Sequence, residues 1–223
     1  FAQNGFNVHM MDINQAAMDK ALATIGKNMD RQIAKGAFTE EAKSNALSCI
    51  KTYTSLEEAV KGCDLVVEAA TENIDLKINI FKQLDALCEP HCILATNTSS
   101  ISITRIGSHT KRPGQVVVMH FFNPVPVMKL VEVINGYATT KEITNTVVEL
   151  SKSLGKVPCV VNDYPGFISN RILMPMINEA ILALQEGVAD ITEIDNIMKL
   201  GMAHPMGPLQ LADFIGLDTC YSI

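Results

Sequence analysis

The residues CDLVVEAATENIDLKINIFKQLDALCEPHCILATN (63–97) alternate between two kinds of apolar pattern. The short, almost fully apolar runs at 63–70 and 92–97 predict β-strands, whereas the residues from Ile74 to Leu87 repeat with the period of a helix. Strands that are apolar throughout are typical of a parallel sheet with helices on both faces. The segment therefore predicts one strand-helix-strand unit of a doubly wound α/β fold.

The same alternation extends over residues 1–162. Further strands are predicted at 6–12, 50–54, 116–121, 130–134 and 157–161, and further helices at 16–35 and 141–154. After residue 162 the strands stop, Pro165 suits the start of a helix, and helices are predicted at 168–187, 191–200 and 209–222. We expect an α/β domain over residues 1–162 and an all-helical domain over residues 163–223.

The composition excludes several classes of protein. The 223 residues are 48% hydrophobic and 19% charged, which fits a globular enzyme and excludes an intrinsically disordered chain. No apolar run approaches the ~18–20 residues that span a bilayer, so we expect no membrane partner. The net charge is −6 and no tract of Lys and Arg is present, so we expect no nucleic-acid partner.

Six cysteines lie along the chain without paired spacing, which predicts reduced thiols of an intracellular protein. We expect the protein in the cytoplasm, or in the mitochondrial matrix if its source is a eukaryote. Cys88, His91 and Cys92 are three soft ligands close together, which admits a zinc site. No second ligand pair with zinc spacing follows, so we favour buried thiols at a helix end and a strand start, and no metal.

Asp12 ends the first predicted strand and admits two interpretations. In a dinucleotide-binding unit an acidic residue there accepts hydrogen bonds from the ribose hydroxyls, whereas elsewhere an Asp between a strand and a helix caps the helix or forms a turn. The glycine fingerprint that would separate them lies about 20 residues before such an Asp. Only eleven residues precede Asp12, and the chain opens on Phe1, so we expect a fragment that begins after this loop.

The helix after Asp12 carries a basic stripe. Its members, which fall within an arc of roughly 80°, are Lys20, Lys27, Arg31 and Lys35. The stripe is either a solvated helix face or a cradle for a phosphate-bearing ligand.

Polar residues also lie after, at the end of, or within three later strands. TNTSSISI follows a strand at the end where doubly wound folds bind ligands, so Ser99 or Ser100 is either a helix cap or a functional residue. His120 closes an apolar strand, and Glu132 lies within the next one, across a turn at 123–126. A buried carboxylate requires a partner, and the two together form either a general base or a structural ion pair.

Five stretches, in this order, identify a resemblance that extends over the whole chain. They are VVEAATEN (66–73), TNTSSISIT (96–104), MHFFNPVPVMKLVEVI (119–134), PGFISNRILMPMINEA (165–180) and MAHPMGPLQLADFIGLD (202–218). They resemble the 3-hydroxyacyl-CoA dehydrogenase family, particularly its bacterial 3-hydroxybutyryl-CoA dehydrogenases. The resemblance implies a Rossmann-type sheet followed by a helical domain that forms a homodimer, with further residues before and after this chain.

The resemblance also implies roles for single residues. His120 is then the catalytic base, Glu132 its partner, and Ser99 and Asn170 hold the reacting oxygen. Contacts to NAD, with NADP less expected, fall on Asp12, Glu72, Lys77, Ser99 and Asn123. Contacts to the coenzyme A substrate fall on Asn28, where relatives can carry serine, on Lys35 and on Ser99.

The implied reaction is the NAD-dependent interconversion of an (S)-3-hydroxyacyl-CoA and a 3-ketoacyl-CoA, with a short acyl chain. Two other functions remain open. One is a non-catalytic, crystallin-like relative, which the set of Ser99, His120, Glu132 and Asn170 disfavours. The other is an NAD-dependent dehydrogenase of free 3-hydroxy acids, which the HFFNPVP block and the basic stripe disfavour.

Overall fold

The computed structural model describes residues 1–223, which divide into two compact units. The first unit contains residues 1–98 and 103–160, and the second contains residues 99–102 and 161–223. The segment 99–102 therefore belongs with the helices, although it follows a strand of the sheet. No helix combines the length and the apolar character needed to cross a membrane.

Seven strands form two sheets. β1 (Val8–Met11) and β2 (Ile50–Tyr53) are parallel partners. The second sheet has the order β3-β4-β5-β6-β7, with the bounds Leu65–Glu68, Ile93–Thr96, Val116–Phe121, Leu130–Asn135 and Val157–Asn162. Every predicted strand is confirmed, with ends within two residues of the prediction.

The second sheet is mixed, whereas the apolar strands predicted a parallel sheet. β3, β4 and β5 are parallel, but β5 and β6 are antiparallel. The loop 122–129 joins β5 directly to β6, and so short a connection permits only antiparallel neighbours. β3 is an edge strand, so its residues Leu65–Val67 are half-buried instead of covered on both faces.

Ten α-helices complete the fold. The first unit holds α1 (Gln15–Ala34), α2 (Glu40–Ser48), α3 (Leu56–Ala59), α4 (Ile74–Leu87), α5 (Ile103–Gly107) and α6 (Lys141–Ser153). The second holds α7 (Ser169–Gln185), α8 (Ile191–Asn196), α9 (Pro208–Ile215) and α10 (Leu217–Ser222). The three longest helices predicted in the α/β part are confirmed, while α2, α3 and α5 lie outside the predicted stretches. α3 and α5 have only four and five residues, which is too few to show a helical period.

In the second unit the helix predicted at 168–187 is confirmed as α7, but the last predicted helix is interrupted and Pro165 lies outside the helix that it was expected to start. The stretch 209–222 is broken at Gly216, whose φ of 97° belongs to the left-handed region that favours glycine and ends α9. Pro165 precedes α7 in a turn closed by the bond from Phe167 N to Tyr164 O, so α7 begins at Ser169. The stretch 191–200 is confirmed as α8, which continues into a π-helical turn over Ile197–Gly201.

The core of the first unit lies between the second sheet and α6. Alternate residues of three strands form one cluster with Val147 of α6: Ile93 and Ala95 of β4, Val117 and Met119 of β5, and Val131 and Val133 of β6. Successive side chains of a strand point to opposite faces. His120 and Glu132, which lie between these core positions, therefore face the other side of the sheet.

Candidate functional site

His120 and Glu132 form a buried pair near the end of β5. The two residues are direct partners in the antiparallel register of β5 and β6. The Nδ1 of His120 lies 2.8 Å from Glu132 Oε2, and the residues are only 7% and 3% exposed. The sequence predicted the pair from a buried carboxylate that requires a partner, and the structure shows the contact.

The pair determines which imidazole nitrogen can accept a proton. A carboxylate only accepts hydrogen bonds, so Nδ1 carries the hydrogen that Glu132 binds, and Nε2 is the basic atom of the neutral ring. The ring also packs against Phe122, with centroids 4.7 Å apart. This arrangement can take up a proton at Nε2 and stabilise the resulting imidazolium through Glu132.

A second buried ionic group lies at the carboxyl ends of β3 and β4. Lys77, on α4, is 1% exposed, and its Nζ donates to Glu68 Oε1 and Oε2 at 2.9 and 3.0 Å. Thr96 Oγ1 donates to Glu68 Oε2 at 2.6 Å. The ligand-binding edge of a parallel sheet is the edge at which its strands end. Lys77, a predicted cofactor contact, is therefore anchored at that edge by Glu68.

Glu72 lies beside this group. One of its carboxylate oxygens is 3.5 Å from Lys77 Nζ, and the other accepts a hydrogen bond from Thr98 Oγ1. The side chain is 41% exposed, unlike those of Lys77 and Glu68. The structure thus brings together two of the predicted cofactor contacts and leaves one carboxylate accessible to solvent.

Asp12 is exposed at the end of β1. Its Oδ1 accepts the backbone N–H of Asn14 at 2.8 Å, and the Asn14 side chain in turn caps α1. Asp12 therefore forms the turn that one interpretation of the sequence expected. Its exposed carboxylate still lies at the carboxyl end of a parallel strand, where the other interpretation needs it.

The basic residues of α1 face solvent, as do most residues of this helix outside Met18 and Met29. Asn28 Oδ1 accepts from Arg31 Nη1 at 3.5 Å, so this predicted coenzyme A contact is joined to the stripe. Asp30, which also lies on α1, forms an ion pair with Lys43 of α2.

Ser99 and Asn170 lie together within the second unit. Asn170, in the first turn of α7 and 9% exposed, donates from Nδ2 to the carbonyl oxygen of Ser99 at 3.0 Å. Ser102 Oγ donates to Asp163 Oδ2 at 2.6 Å, which holds the same segment at its other end. Phe167, fully buried with φ of 50°, and Gly166 precede the helix. These contacts fix two predicted substrate-binding residues relative to each other.

Asn123 lies exposed in the loop 122–129 between His120 and Glu132. Lys156 holds this loop, because its Nζ donates to the carbonyl oxygens of Val125 and Met128 at 2.5 and 2.7 Å. Burial lowers the pKa of Lys156.

The cluster considered for zinc is arranged differently from a metal site. Cys88 and Cys92 are buried, whereas His91 is exposed and its Nε2 lies 3.2 Å from Asp64 Oδ1. No group of three His, Cys, Asp or Glu side chains in the chain is placed to hold a metal ion.

Sequence reasoning missed Glu68, Thr96 and Thr98. The signal that identified Glu132, a carboxylate within an apolar strand, is also present at Glu68 in DLVVEAA. Thr96 ends a strand, and Thr98 follows it closely, but nothing in their local sequence indicates that their hydroxyls bind Glu68 and Glu72.

Two family models match the chain. Residues 1–164 match "3-hydroxyacyl-CoA dehydrogenase, NAD binding domain", and residues 166–223 match "3-hydroxyacyl-CoA dehydrogenase, C-terminal domain".

Curated relatives match the whole chain. The chain is 53% identical to the probable 3-hydroxybutyryl-CoA dehydrogenase of Bacillus subtilis, with all of this chain and 77% of that protein aligned. It is 52% identical to the 3-hydroxybutyryl-CoA dehydrogenase of Clostridioides difficile, with all of this chain and 79% of that protein aligned.

Solved structures agree with this assignment. The crystal structure of (S)-3-hydroxybutyryl-CoA dehydrogenase PaaH1 from Ralstonia eutropha is 52% identical and superimposes with a TM-score of 0.96, over 99% of this chain and 78% of that one. Both parts of the chain therefore match one family in sequence, and the fold matches it in structure. The chain belongs to the 3-hydroxyacyl-CoA dehydrogenase family, whose members are oxidoreductases with an NAD-binding domain.

Proposed function

We propose that the protein interconverts (S)-3-hydroxyacyl-CoA and 3-ketoacyl-CoA, with short acyl chains such as that of 3-hydroxybutyryl-CoA. The observation that carries the proposal is the buried pair of His120 and Glu132, with Nδ1 and Oε2 2.8 Å apart. The relatives named above, which carry this activity in their names, support the choice of substrate.

In this reaction His120 is the general base. Its Nε2 takes the proton of the C3 hydroxyl during oxidation and returns it to the oxygen during reduction. Glu132 keeps the ring in the required tautomer and stabilises the imidazolium. Because reduction consumes a proton, lower pH favours the hydroxyacyl product.

The residues at the strand ends fit a nicotinamide dinucleotide. Asp12 and Glu72 are exposed carboxylates that follow parallel strands, and ribose hydroxyls are the donors such carboxylates bind. A nicotinamide held by these residues would supply the acceptor for the hydride of C3. Asp12 would repel a 2′-phosphate, so we propose NAD over NADP. We further assign Lys77, Ser99 and Asn123 to this site.

Ser99 and Asn170 are proposed to hold the C3 oxygen as it becomes a carbonyl, a role that needs polar hydrogens in fixed positions. Asn28 and Lys35 on the basic face of α1, together with Ser99, are proposed to bind coenzyme A. We also propose that residues 1–162 form the cofactor-binding domain and that residues 163–223 form the helical domain. The helical domain is proposed to form a homodimer.

A nicotinamide absorbance assay on the intact protein tests the proposal. We expect oxidation of NADH with acetoacetyl-CoA, a much slower reaction with NADPH, and none with free acetoacetate. Turnover of the free acid at the rate of the thioester would point to a free-acid dehydrogenase. Absence of turnover with either would point to a non-catalytic relative.

A further inference from the structure

The buried group around Lys77 is more elaborate than a single ion pair. Glu68 ends β3 and is the register partner of Thr96 in β4. Its two oxygens receive four hydrogens: two from Lys77, one from Thr96 Oγ1 and one from the backbone N–H of Ala70 at 2.5 Å. Glu68 is thus fully saturated by its neighbours and, at 6% exposure, presents nothing to a ligand.

Lys77 connects Glu68 with Glu72. Besides the two bonds to Glu68, its ammonium donates to the carbonyl oxygen of Ala70 at 3.0 Å. The nearest Glu72 oxygen is 3.5 Å away, beyond the distances of the other three contacts. The strong pair with Glu68 therefore keeps the ammonium close to Glu68, while its charge still attracts the exposed carboxylate.

We propose that Glu68 is a positioning residue of the cofactor site. Its carboxylate holds the Lys77 ammonium at a distance from which the ammonium orients the Glu72 carboxylate but does not form a close ion pair with it. The proposal rests on the proposed function only in assigning Glu72 to the cofactor. Glu68 acts through Lys77 and touches neither cofactor nor substrate.

Neutralising Glu68 upsets this balance. A buried ammonium that loses its main carboxylate moves to the nearest remaining one, because an unpaired buried charge is very unfavourable. In Glu68→Gln that carboxylate is Glu72. Glu72 is then drawn toward Lys77 and withdrawn from the position in which it accepts hydrogen bonds from a ligand.

The test measures NADH affinity by fluorescence titration of the intact protein, independently of turnover. We expect Glu68→Gln to weaken NADH binding about tenfold, the scale of one hydrogen bond to a charged group. The KM for acetoacetyl-CoA should remain unchanged. Asp85→Asn is the control. Asp85 lies on the same helix as Lys77, eight residues or about 12 Å beyond it, and the change breaks a largely buried ion pair with Arg112.

A double-mutant cycle with Glu72→Gln separates positioning from a merely structural role. If Glu68 acts through Glu72, Glu68→Gln should have no further effect on NADH affinity once Glu72 is already Gln. An equal loss of affinity in both backgrounds would show that Glu68 serves the fold alone. Unchanged affinity in the single variant would overturn the proposal as well.

Should Glu68→Gln not fold, Glu68→Asp decides, because it keeps every charge and shortens the side chain by one methylene, which withdraws the carboxylate from the Lys77 ammonium. A drop in NADH affinity that disappears in the Glu72→Gln background supports the proposal, and an unchanged affinity contradicts it. These outcomes concern binding of NADH alone. A wild-type protein that binds NADH but does not reduce acetoacetyl-CoA would instead refute the proposed function.

Discussion

Single side chains determine the proton chemistry that we propose for this protein. Glu132 lies among Val131 and Val133, where a carboxylate is stable only with a hydrogen-bonding partner. The partner it finds, His120, gains a defined tautomer in return. Each residue thus satisfies a requirement of the other, and the same contact serves both the fold and the proposed reaction.

Replacing the base tests this role directly. We expect His120→Gln to reduce turnover more than about 10²-fold, the scale of a lost general base, while coenzyme A ester binding stays nearly intact. Initial rates and a direct binding measurement check both statements. His109→Gln, which alters an exposed histidine of the first unit, should retain normal turnover. Near-normal rates in His120→Gln would remove the residue from the mechanism.

The cysteines should differ in reactivity according to their surroundings. Burial raises the pKa of the Cys63 thiol, and the hydrogen bond with Cys88, together with burial, raises that of Cys92. Cys159 is exposed. Because the thiolate is the reactive form, iodoacetamide at mildly alkaline pH should label Cys159 first and Cys63 and Cys92 slowly. Mass spectrometry of the folded protein measures the order, which rapid labelling of Cys92 would contradict.

Helices and strands are held at their ends by side chains distant in sequence. The C-terminal end of α4 is an example: Arg112 donates to the carbonyl oxygens of Asp85, Cys88 and Glu89 and pairs with the carboxylate of Asp85 at 2.9 Å. The other end is capped locally by Asn73. The sequence shows the Asn cap, but nothing near residue 87 indicates the arginine.

Removing this arginine should loosen the end of α4. We expect Arg112→Met to lower the free energy of unfolding by about 2–4 kcal/mol, since it removes the charged partner of a largely buried carboxylate and one donor from each of three carbonyls. Urea denaturation measures the change. Lys152→Met is the control, because its pair with Glu149 is exposed and such pairs contribute about 0–1 kcal/mol. Equal effects of the two variants would contradict the assignment.

Most of the large apolar side chains that the molecule exposes to solvent lie in its second unit. Large side chains there are mostly solvent-exposed, among them Ile172, Val188, Leu200, Met202, Phe214 and Leu217. Clusters of exposed apolar residues mark surfaces that bind other protein segments. This agrees with the proposed dimer of the helical domain.

Sedimentation velocity tests the dimer. We expect the intact protein to sediment as a dimer, and the combined change Leu200→Asp and Phe214→Asp to yield monomers, because charges cannot be buried unpaired in an interface. Tyr137→Asp, at a position 95% exposed in the first unit, should leave the dimer intact. A monomeric wild-type protein would refute the proposal.

Local patterns in the chain were sufficient to predict the seven strands, the longest helices of the first unit, the helical second part and the pair of His120 and Glu132. Burial imposes a period on each element and requires a partner for each buried charge, so both leave a trace in the sequence. The saturation of Glu68 and the grouping of residues 99–102 with the helices emerged only in the folded chain. These features depend on contacts between residues far apart in sequence, which no local period records.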